Sequence, residues 1–359
     1  MASAVRLADG RVLVAGGLGG DPSIPQISAL ASAEIYDPAT NTFSATGSMA
    51  TARIHFMMAA LDDGRVLVAG GEDLTRTTIA SAELYDPATG EFSPTGSLVT
   101  DRSGAQVQRL PDGNIWIAGG VSTVNGAGFA VLSGEIFDAA DGTFAETANL
   151  LTDSFDSAAR STMLANGSIL IAGGSVNQAA PDENVADLFD PSTGLFAQTG
   201  FHEGYRLAGA MLHLANDHVL FVGGTENDPT GTPLTYDEDY DPMAGTFSTS
   251  TSSLVQVRAS MTATPLPGAD YLVAGGQPSG IDPALASAEL YDASTGAFEP
   301  TASMAHARLN HTATALPDGS VLIVGGQTAQ FFPLEFVGAS EIYVPATPDA
   351  IFGDGFDGD

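Results

Sequence analysis

The sequence predicts an all-β fold, a seven-bladed β-propeller built from four-stranded antiparallel blades. An apolar run ending in a glycine doublet recurs seven times along the 359 residues, at intervals of about fifty residues. That period is typical of propeller blades and longer than that of most helical repeats. The doublets begin at Gly16, Gly70, Gly119, Gly173, Gly223, Gly275 and Gly325.

The second repeat shows how each blade divides into four strands. We predict strands over residues 52–61, 65–69, 82–85 and 91–95, because these apolar or alternating runs are separated by turn-forming residues. Asp63-Gly64 supplies the positive φ of a tight turn. Gly70 and Gly71 end the second strand where a Cβ would obstruct the backbone, so we assign them a structural role.

The predicted third strand carries an acid, then an aromatic residue, in nearly every repeat. In the second repeat the aromatic residue is Tyr85, and Phe92 follows seven positions later. Such a pair is expected to pack between neighbouring blades. The third-strand acids, to which we also assign a structural role, are Glu34, Glu83, Glu135, Asp187, Glu238, Glu289 and Glu341.

The glycine doublet, the tyrosine and the later aromatic residue resemble the kelch motif, with Phe where that family often has Trp. The resemblance extends over nearly the whole chain and implies one kelch-like domain over residues 1–348, of a bacterial, secreted type. Its expected blades are residues 1–48, 49–98, 99–149, 150–200, 201–253, 254–303 and 304–348.

The two ends of the chain interrupt the repeat. The first copy starts halfway along an inner strand, from which we expect that upstream sequence, such as a signal peptide, was removed. Residues 349–359 have two interpretations. They supply a closing strand for the last blade, or they form an acidic tail, which resembles a C-terminal segment of exported proteins from some Gram-negative bacteria.

The charge balance limits the partners. The chain has 43 Asp and Glu against 11 basic residues, all arginine, for a net charge of −32. Such a surface repels nucleic acids and anionic lipids, and no apolar run is long enough for membrane insertion. The acidic excess indicates solubility, with calcium as a possible ligand of acidic loops. No cofactor is otherwise predicted.

The variable connections are expected on one face of the propeller, opposite the tight turns. We call it the loop face. Function in repeat scaffolds is concentrated where loops vary. The connections that follow the doublets lie at residues 18–21, 72–76, 121–123, 175–178, 225–228, 277–279 and 327–330.

Five arginines occupy the same position in their repeats, at the beginning of the first strand. The fourth repeat has Asp156 at that position instead. Two roles are considered for these arginines. Because a buried guanidinium needs a partner, they would form structural pairs with the third-strand acids. Alternatively, they would line a mouth of the propeller that captures an anionic ligand. The second alternative is strengthened by a resemblance to sialic acid epimerases, and Asp153 and Asp156 would then mark an asymmetric spot. The arginines are Arg53, Arg102, Arg206, Arg258 and Arg308.

No catalytic residues are assigned. The kelch resemblance extends to copper radical oxidases, which need a tyrosine cross-linked to cysteine, and this chain contains no cysteine. The six histidines show no metal-ligand pattern and are interpreted as surface or packing residues.

The function hypothesis is a binding module, exported to the extracellular space or cell surface, that presents its loops to a protein or a glycan. The first alternative is an epimerase- or lyase-like enzyme acting on an acidic carbohydrate in the mouth. The second is a scaffold that self-associates through its blades. The fold by itself does not decide among them.

Overall fold

The computed structural model of the chain describes residues 2–20, 27–124, 126–151, 159–174, 184–228, 230–329, 335–345 and 351–354. The chain divides into two compact units. The first unit holds residues 1–157, 166–169 and 187–197, and the second holds residues 158–165, 170–186 and 198–359.

The first unit contains three sheets, each of four antiparallel strands in chain order. The first consists of Ser3–Arg6, Val12–Ala15, Ala33–Asp37 and Thr42–Ala45. The second consists of Met57–Ala60, Val66–Ala69, Ala82–Asp86 and Glu91–Pro94. The third consists of Gln106–Arg109, Ile115–Ala118, Ser133–Asp138 and Thr143–Asn149. Two-stranded ribbons in the connections pair Leu18–Gly20 with Ile27–Ala29, and Val121–Val124 with Ala127–Ala130.

The second unit repeats the pattern three times. The fifth sheet consists of Ala210–His213, Val219–Val222, Glu238–Asp241 and Thr246–Thr249. The sixth consists of Thr262–Pro265, Tyr271–Ala274, Ala288–Asp292 and Ala297–Thr301. The seventh consists of Thr312–Ala315, Val321–Val324, Glu341–Val344 and Ile351–Asp354.

The fourth sheet consists of Arg160–Met163, Ile169–Ala172, Val185–Asp190 and Leu195–Phe201. Seven antiparallel sheets confirm the predicted all-β, seven-bladed β-propeller. Helical structure in the described residues is a single 3₁₀ turn, Pro267–Ala269, and none of it is long and apolar enough to cross a bilayer.

The second strand of each sheet forms the core. All four residues of Val66–Ala69 are buried, as expected for a strand covered on both faces. Val66 and Val68 pack in one cluster with Leu13 of the first sheet, while Leu67 packs with Ile117 of the third. The second strand therefore joins its blade to both neighbours.

The first strand of the second sheet is shorter than predicted. It begins at Met57 instead of residue 52, because His55 has a positive φ of 53° that interrupts the extended backbone. Ile54 before this kink pairs instead with Glu72 in an isolated bridge. Alternating apolar residues gave no sign of this break.

Gly70 shows why the doublet needs glycine. Its φ is 66°, and a Cβ there would lie 2.6 Å from the carbonyl oxygen of Arg102 in the next blade. The following residue, Gly71, donates its N–H to that same oxygen at 2.8 Å. The doublet is therefore a point of close contact between the second and third blades.

The last strand, Ile351–Asp354, pairs with Glu341–Val344 in the register of the other blades. Phe352 lies opposite Tyr343, as Phe92 lies opposite Tyr85. The seventh sheet therefore has a fourth strand. The rest of the predicted closing segment or tail, residues 349–350 and 355–359, lies outside the described residues.

Candidate functional site

The five arginines at the common phase are all buried, with at most 1% of each residue exposed. Each forms an ion pair with the third-strand acid of its own sheet. The pairs are Arg53 with Glu83 at 2.9 Å, Arg102 with Glu135 at 2.7 Å, Arg206 with Glu238 at 2.9 Å, Arg258 with Glu289 at 2.7 Å and Arg308 with Glu341 at 2.6 Å.

Arg102 illustrates how a guanidinium is satisfied. Its Nη1 donates to the carbonyl oxygens of Gly119 at 3.2 Å and Ser133 at 2.6 Å, while Nη2 donates to Glu135. Glu135 in turn accepts the backbone N–H groups of Val99 and Thr100 at 2.8 and 3.0 Å. The pair therefore ties together the doublet, the third strand and the incoming chain.

The same contacts recur in the other four copies, where Nη1 donates to the first carbonyl of the doublet at 2.8–2.9 Å. Burial lowers the pKa of the Arg102 and Arg258 guanidinium groups, and the paired glutamates oppose that shift. This geometry favours the structural alternative, because the charged heads are already engaged internally. Ligand binding by these arginines stays a prediction.

The remaining predicted residues have different surroundings. Asp187 is fully buried and accepts the N–H of Leu151 at 2.8 Å, whereas Glu34 is exposed. Tyr85 and Phe92 pack with ring centroids 4.9 Å apart. Asp153 and Asp156 lie outside the described residues, as do Asp21, Gln330 and the loop at 175–178.

Sequence reasoning missed a second position that recurs two residues after each arginine. In all five copies this residue has a left-handed backbone, although only one of them is glycine. A left-handed φ costs a non-glycine residue roughly 1–2 kcal/mol. The residues and φ values are His55 at 53°, Gly104 at 66°, Ala208 at 54°, Ser260 at 58° and Asn310 at 55°.

Backbone hydrogen bonds link these residues from one blade to the next within each unit. Gly104 donates its N–H to the oxygen of His55 at 2.8 Å. In the second unit, Ser260 donates to Ala208 at 2.8 Å and Asn310 donates to Ser260 at 2.9 Å. We call these five residues the collar. Its backbone is constant, but its side chains differ from blade to blade.

The residue after each doublet lies beside the collar. Glu72 pairs with Ile54, and Gln277 pairs with Ala259, in isolated bridges at the end of the sheet opposite the tight turns. Because these bridges join the beginning of the first strand to the end of the second, they place the collar on the predicted loop face.

A polar cluster lies there in the first unit. His55 Nδ1 is 3.0 Å from Glu72 Oε1, and Ser103 donates its hydroxyl to Glu72 Oε2 at 3.2 Å. The hydrogen bond from His55 is the leading cause that lowers the pKa of the Glu72 carboxyl group. The His55 side chain is 38% exposed, so the cluster is open to solvent.

Asp101 extends this cluster along the loop face. The Ser122 hydroxyl is 3.2 Å from both carboxylate oxygens, and the Thr78 hydroxyl also donates to Asp101. Thr78 in turn accepts the N–H of Thr123 at 2.9 Å. Asp101 is therefore held by the ribbon of Val121–Val124 and Ala127–Ala130, which we call the third-blade ribbon.

Two partly exposed arginines lie away from this cluster, and a third lies near it. Arg11 pairs with Asp9 and Arg65 with Asp63, each at 2.7 Å, at the tight turns of their blades. Near the cluster, Arg76 lies on the connection after Glu72 and also contributes to lowering the pKa of that carboxyl.

The chain does not fit a copper radical centre, because the tyrosine–cysteine cross-link cannot form without cysteine. Among the described residues, no three His, Asp or Glu side chains are grouped to hold a metal ion. His202 and His311 are buried, and burial lowers their pKa values to about 4 and about 3.

Comparison with known proteins agrees with the fold. A family model for the Kelch motif matches residues 3–50. No curated protein matches the chain. Among solved structures, the chain is similar to a fungal alcohol oxidase of the AA5 family in complex with copper, with 17% identity, a TM-score of 0.69, and coverage of 92% of this chain and 71% of that one. At that identity the likeness concerns the fold alone. The Kelch-motif match over residues 3–50 and the seven four-stranded sheets together support a kelch-repeat β-propeller.

Proposed function

We propose that this propeller is an exported or surface-exposed binding module whose loop face holds a basic segment of a protein partner. One observation carries the proposal: the five arginines that would make the mouth cationic are buried in ion pairs. The carboxylates of Glu72 and Asp101 stand at the loop end of their sheets, where Arg76 is the near cation. Kelch propellers in general mediate protein interactions, which supports a role of this kind.

The overall charge supports a basic partner. Of 43 acidic residues, five neutralise the buried arginines, and the chain contains no lysine. A positively charged partner would associate faster with this acidic surface, and acidic competitors would be repelled. Screening by salt should weaken such binding, because the Debye length falls to about 8 Å at physiological ionic strength.

A glycan ligand and an enzyme for acidic carbohydrates draw less support. An acidic sugar would need free guanidinium groups, and all five predicted arginines donate to internal acceptors. Self-association remains an alternative outcome, which sedimentation at several protein concentrations would detect.

The test is a peptide array whose members range from strongly acidic to strongly basic, probed with the full chain at low and at physiological salt. Binding should rise with the positive charge of the peptide and fall with salt. Preferential binding of acidic peptides, or no dependence on charge, would contradict the proposal. An acidic sugar that raises the melting temperature would instead favour the enzyme alternative.

A further inference from the structure

We propose that the loop end of the second and third blades is an anchor site for one cationic side chain, lysine or arginine, of the partner. The site consists of His55, Glu72, Asp101 and Phe129. It rests on the proposed function, because it names where a basic segment would be held.

His55 supplies an imidazole beside the carboxylate of Glu72. Because a carboxylate accepts hydrogen bonds, Nδ1 donates to Glu72 Oε1 at 3.0 Å, and Nε2 is the ring nitrogen left for a ligand. Nε2 has no hydrogen-bond partner in the described part of the chain. His55 also keeps a left-handed φ of 53° at a position where glycine would be unstrained.

Asp101 supplies a fixed negative charge. Two hydroxyl groups, from Thr78 and Ser122, orient its carboxylate, and both of those residues are at least nine-tenths buried. Neither hydroxyl carries a charge. The neighbouring guanidinium group of Arg102 interacts electrostatically with Asp101, but its ion-pair partner is Glu135.

Phe129 supplies an aromatic face beside that carboxylate. In the third-blade ribbon Phe129 lies directly opposite Ser122, whose hydroxyl contacts Asp101. Directly opposed residues on an antiparallel pair have Cβ atoms about 4.5–5.5 Å apart on the same face. Phe129 is nevertheless 58% exposed, as is much of its strand. A large exposed aromatic next to an oriented carboxylate suits a guanidinium or ammonium group, which gains both an ion pair and a cation–π contact.

Two other blades whose loop ends the structure describes lack this chemistry. At the equivalent positions the sixth blade has Ser260 and Gln277, and the seventh has Asn310 and Gln327, all uncharged. The backbone is shared, so the chemistry of the second and third blades comes from their side chains.

The experiment measures binding of a fluorescein-labelled tetra-arginine peptide to the full chain by anisotropy at 150 mM salt. The variants are Asp101→Asn and Phe129→Ala, with Glu91→Gln as the control. Glu91 is exposed on the fourth strand of the second sheet, so the control loses the same charge away from the anchor. We expect Asp101→Asn to weaken binding about tenfold and Phe129→Ala about threefold. The affinity of Glu91→Gln for tetra-arginine should equal that of wild type, because salt screens the loss of one charge far from the anchor.

Melting curves of each variant show whether the fold is intact. Phe129→Ala removes an exposed side chain, so it should fold even if Asp101→Asn does not, and the test can still be read. If wild type binds but both anchor variants match Glu91→Gln, the anchor site is wrong while the basic-partner function stands. If wild type binds neither tetra-arginine nor any basic peptide of the array, both proposals fail.

Discussion

The second and sixth blades share a backbone but carry different chemistry at their loop ends. The collar residue is His55 in one and Ser260 in the other, with φ of 53° and 58°. The residue after the doublet is Glu72 in one and Gln277 in the other, each bridged to the residue that follows a buried arginine. The second blade therefore presents an imidazole and a carboxylate where the sixth presents a hydroxyl and an amide.

This difference separates a constant framework from a variable surface. Arg53 and Arg258 make equivalent contacts, donating to the first carbonyl of their doublets at 2.8 Å and to a third-strand glutamate. The positions two residues later are free to vary because their side chains are not needed for those contacts. We expect framework changes to alter stability and collar changes to alter binding.

The largest expected effect comes from breaking the framework. Arg102→Met should lower the free energy of unfolding by about 3–5 kcal/mol, because Glu135 is left buried without its cation. Denaturant unfolding followed by fluorescence would measure this, since Trp116 is the single tryptophan and fully buried.

The double variant Arg102→Met, Glu135→Met is the control. It should recover a large part of the loss, because replacing both charges by apolar groups removes the unpaired carboxylate. If Arg102→Met alone unfolds like wild type, the structural role assigned to this pair is wrong.

The next effect distinguishes the two ends of one blade. Gly70→Ala should cost about 2–4 kcal/mol, because a methyl adds a clash with the Arg102 carbonyl to the strain of a positive φ. Gly64→Ala, at the tight turn, should cost only about 1 kcal/mol, because its φ is 87° but its methyl would meet no heavy atom within 4 Å. Equal losses in the two variants would contradict the close blade contact at the doublet.

A buried histidine in the second unit should make the stability of the fold depend on pH. His202 is buried, accepts the N–H of Gly173 through Nε2 at 3.3 Å, and has its pKa lowered by burial to about 4. An unfolded histidine titrates near 6.5, so the unfolded chain binds more protons between pH 6.5 and about 4. Stability should therefore fall as the pH falls through this window, by about 1.4 kcal/mol per pH unit from this residue.

Denaturant unfolding followed by circular dichroism at several pH values measures that slope. His202→Gln, which does not titrate, should have a shallower slope than wild type in the same window. Identical slopes for the two proteins would show that His202 is not buried in its neutral form.

The smallest effect on stability is expected at the collar. His55→Gly should raise the free energy of unfolding by up to about 1 kcal/mol, because glycine relieves the left-handed strain. Ser260→Gly should give a similar gain. The two should differ in binding of tetra-arginine, which only His55→Gly should weaken. A large loss of stability in either variant would mean that the collar side chains belong to the framework.

The sequence was sufficient for the framework. Seven doublets at a steady period predicted seven blades, because the feature is repeated at a local spacing. The Arg and Glu positions offered the pairs that the structure forms as one of two alternatives. The C-terminal strand was one of two open alternatives, since residues 349–359 are rich in Gly and Asp and match the repeat only at Phe352.

The anchor could not be predicted for a physical reason. It depends on a left-handed kink at His55 inside an apparently continuous strand. It also depends on the third-blade ribbon, in which Phe129 is the cross-strand partner of Ser122. Neither is encoded by periodicity. The one available signal was the comparison of residues two positions after each arginine, which vary between His, Gly, Ala, Ser and Asn.

The most direct test exchanges the chemistry of the two blades. We would measure the Kd for tetra-arginine of wild type, of His55→Ser with Glu72→Gln, and of the reverse pair Ser260→His with Gln277→Glu. The first double variant installs residues that the same backbone already accepts in the sixth blade, and its affinity should fall about tenfold. The reverse pair should bind at least as tightly as wild type. An unchanged Kd in the first variant, with the fold intact, would contradict the claim that the loop end of the second blade holds a cationic partner.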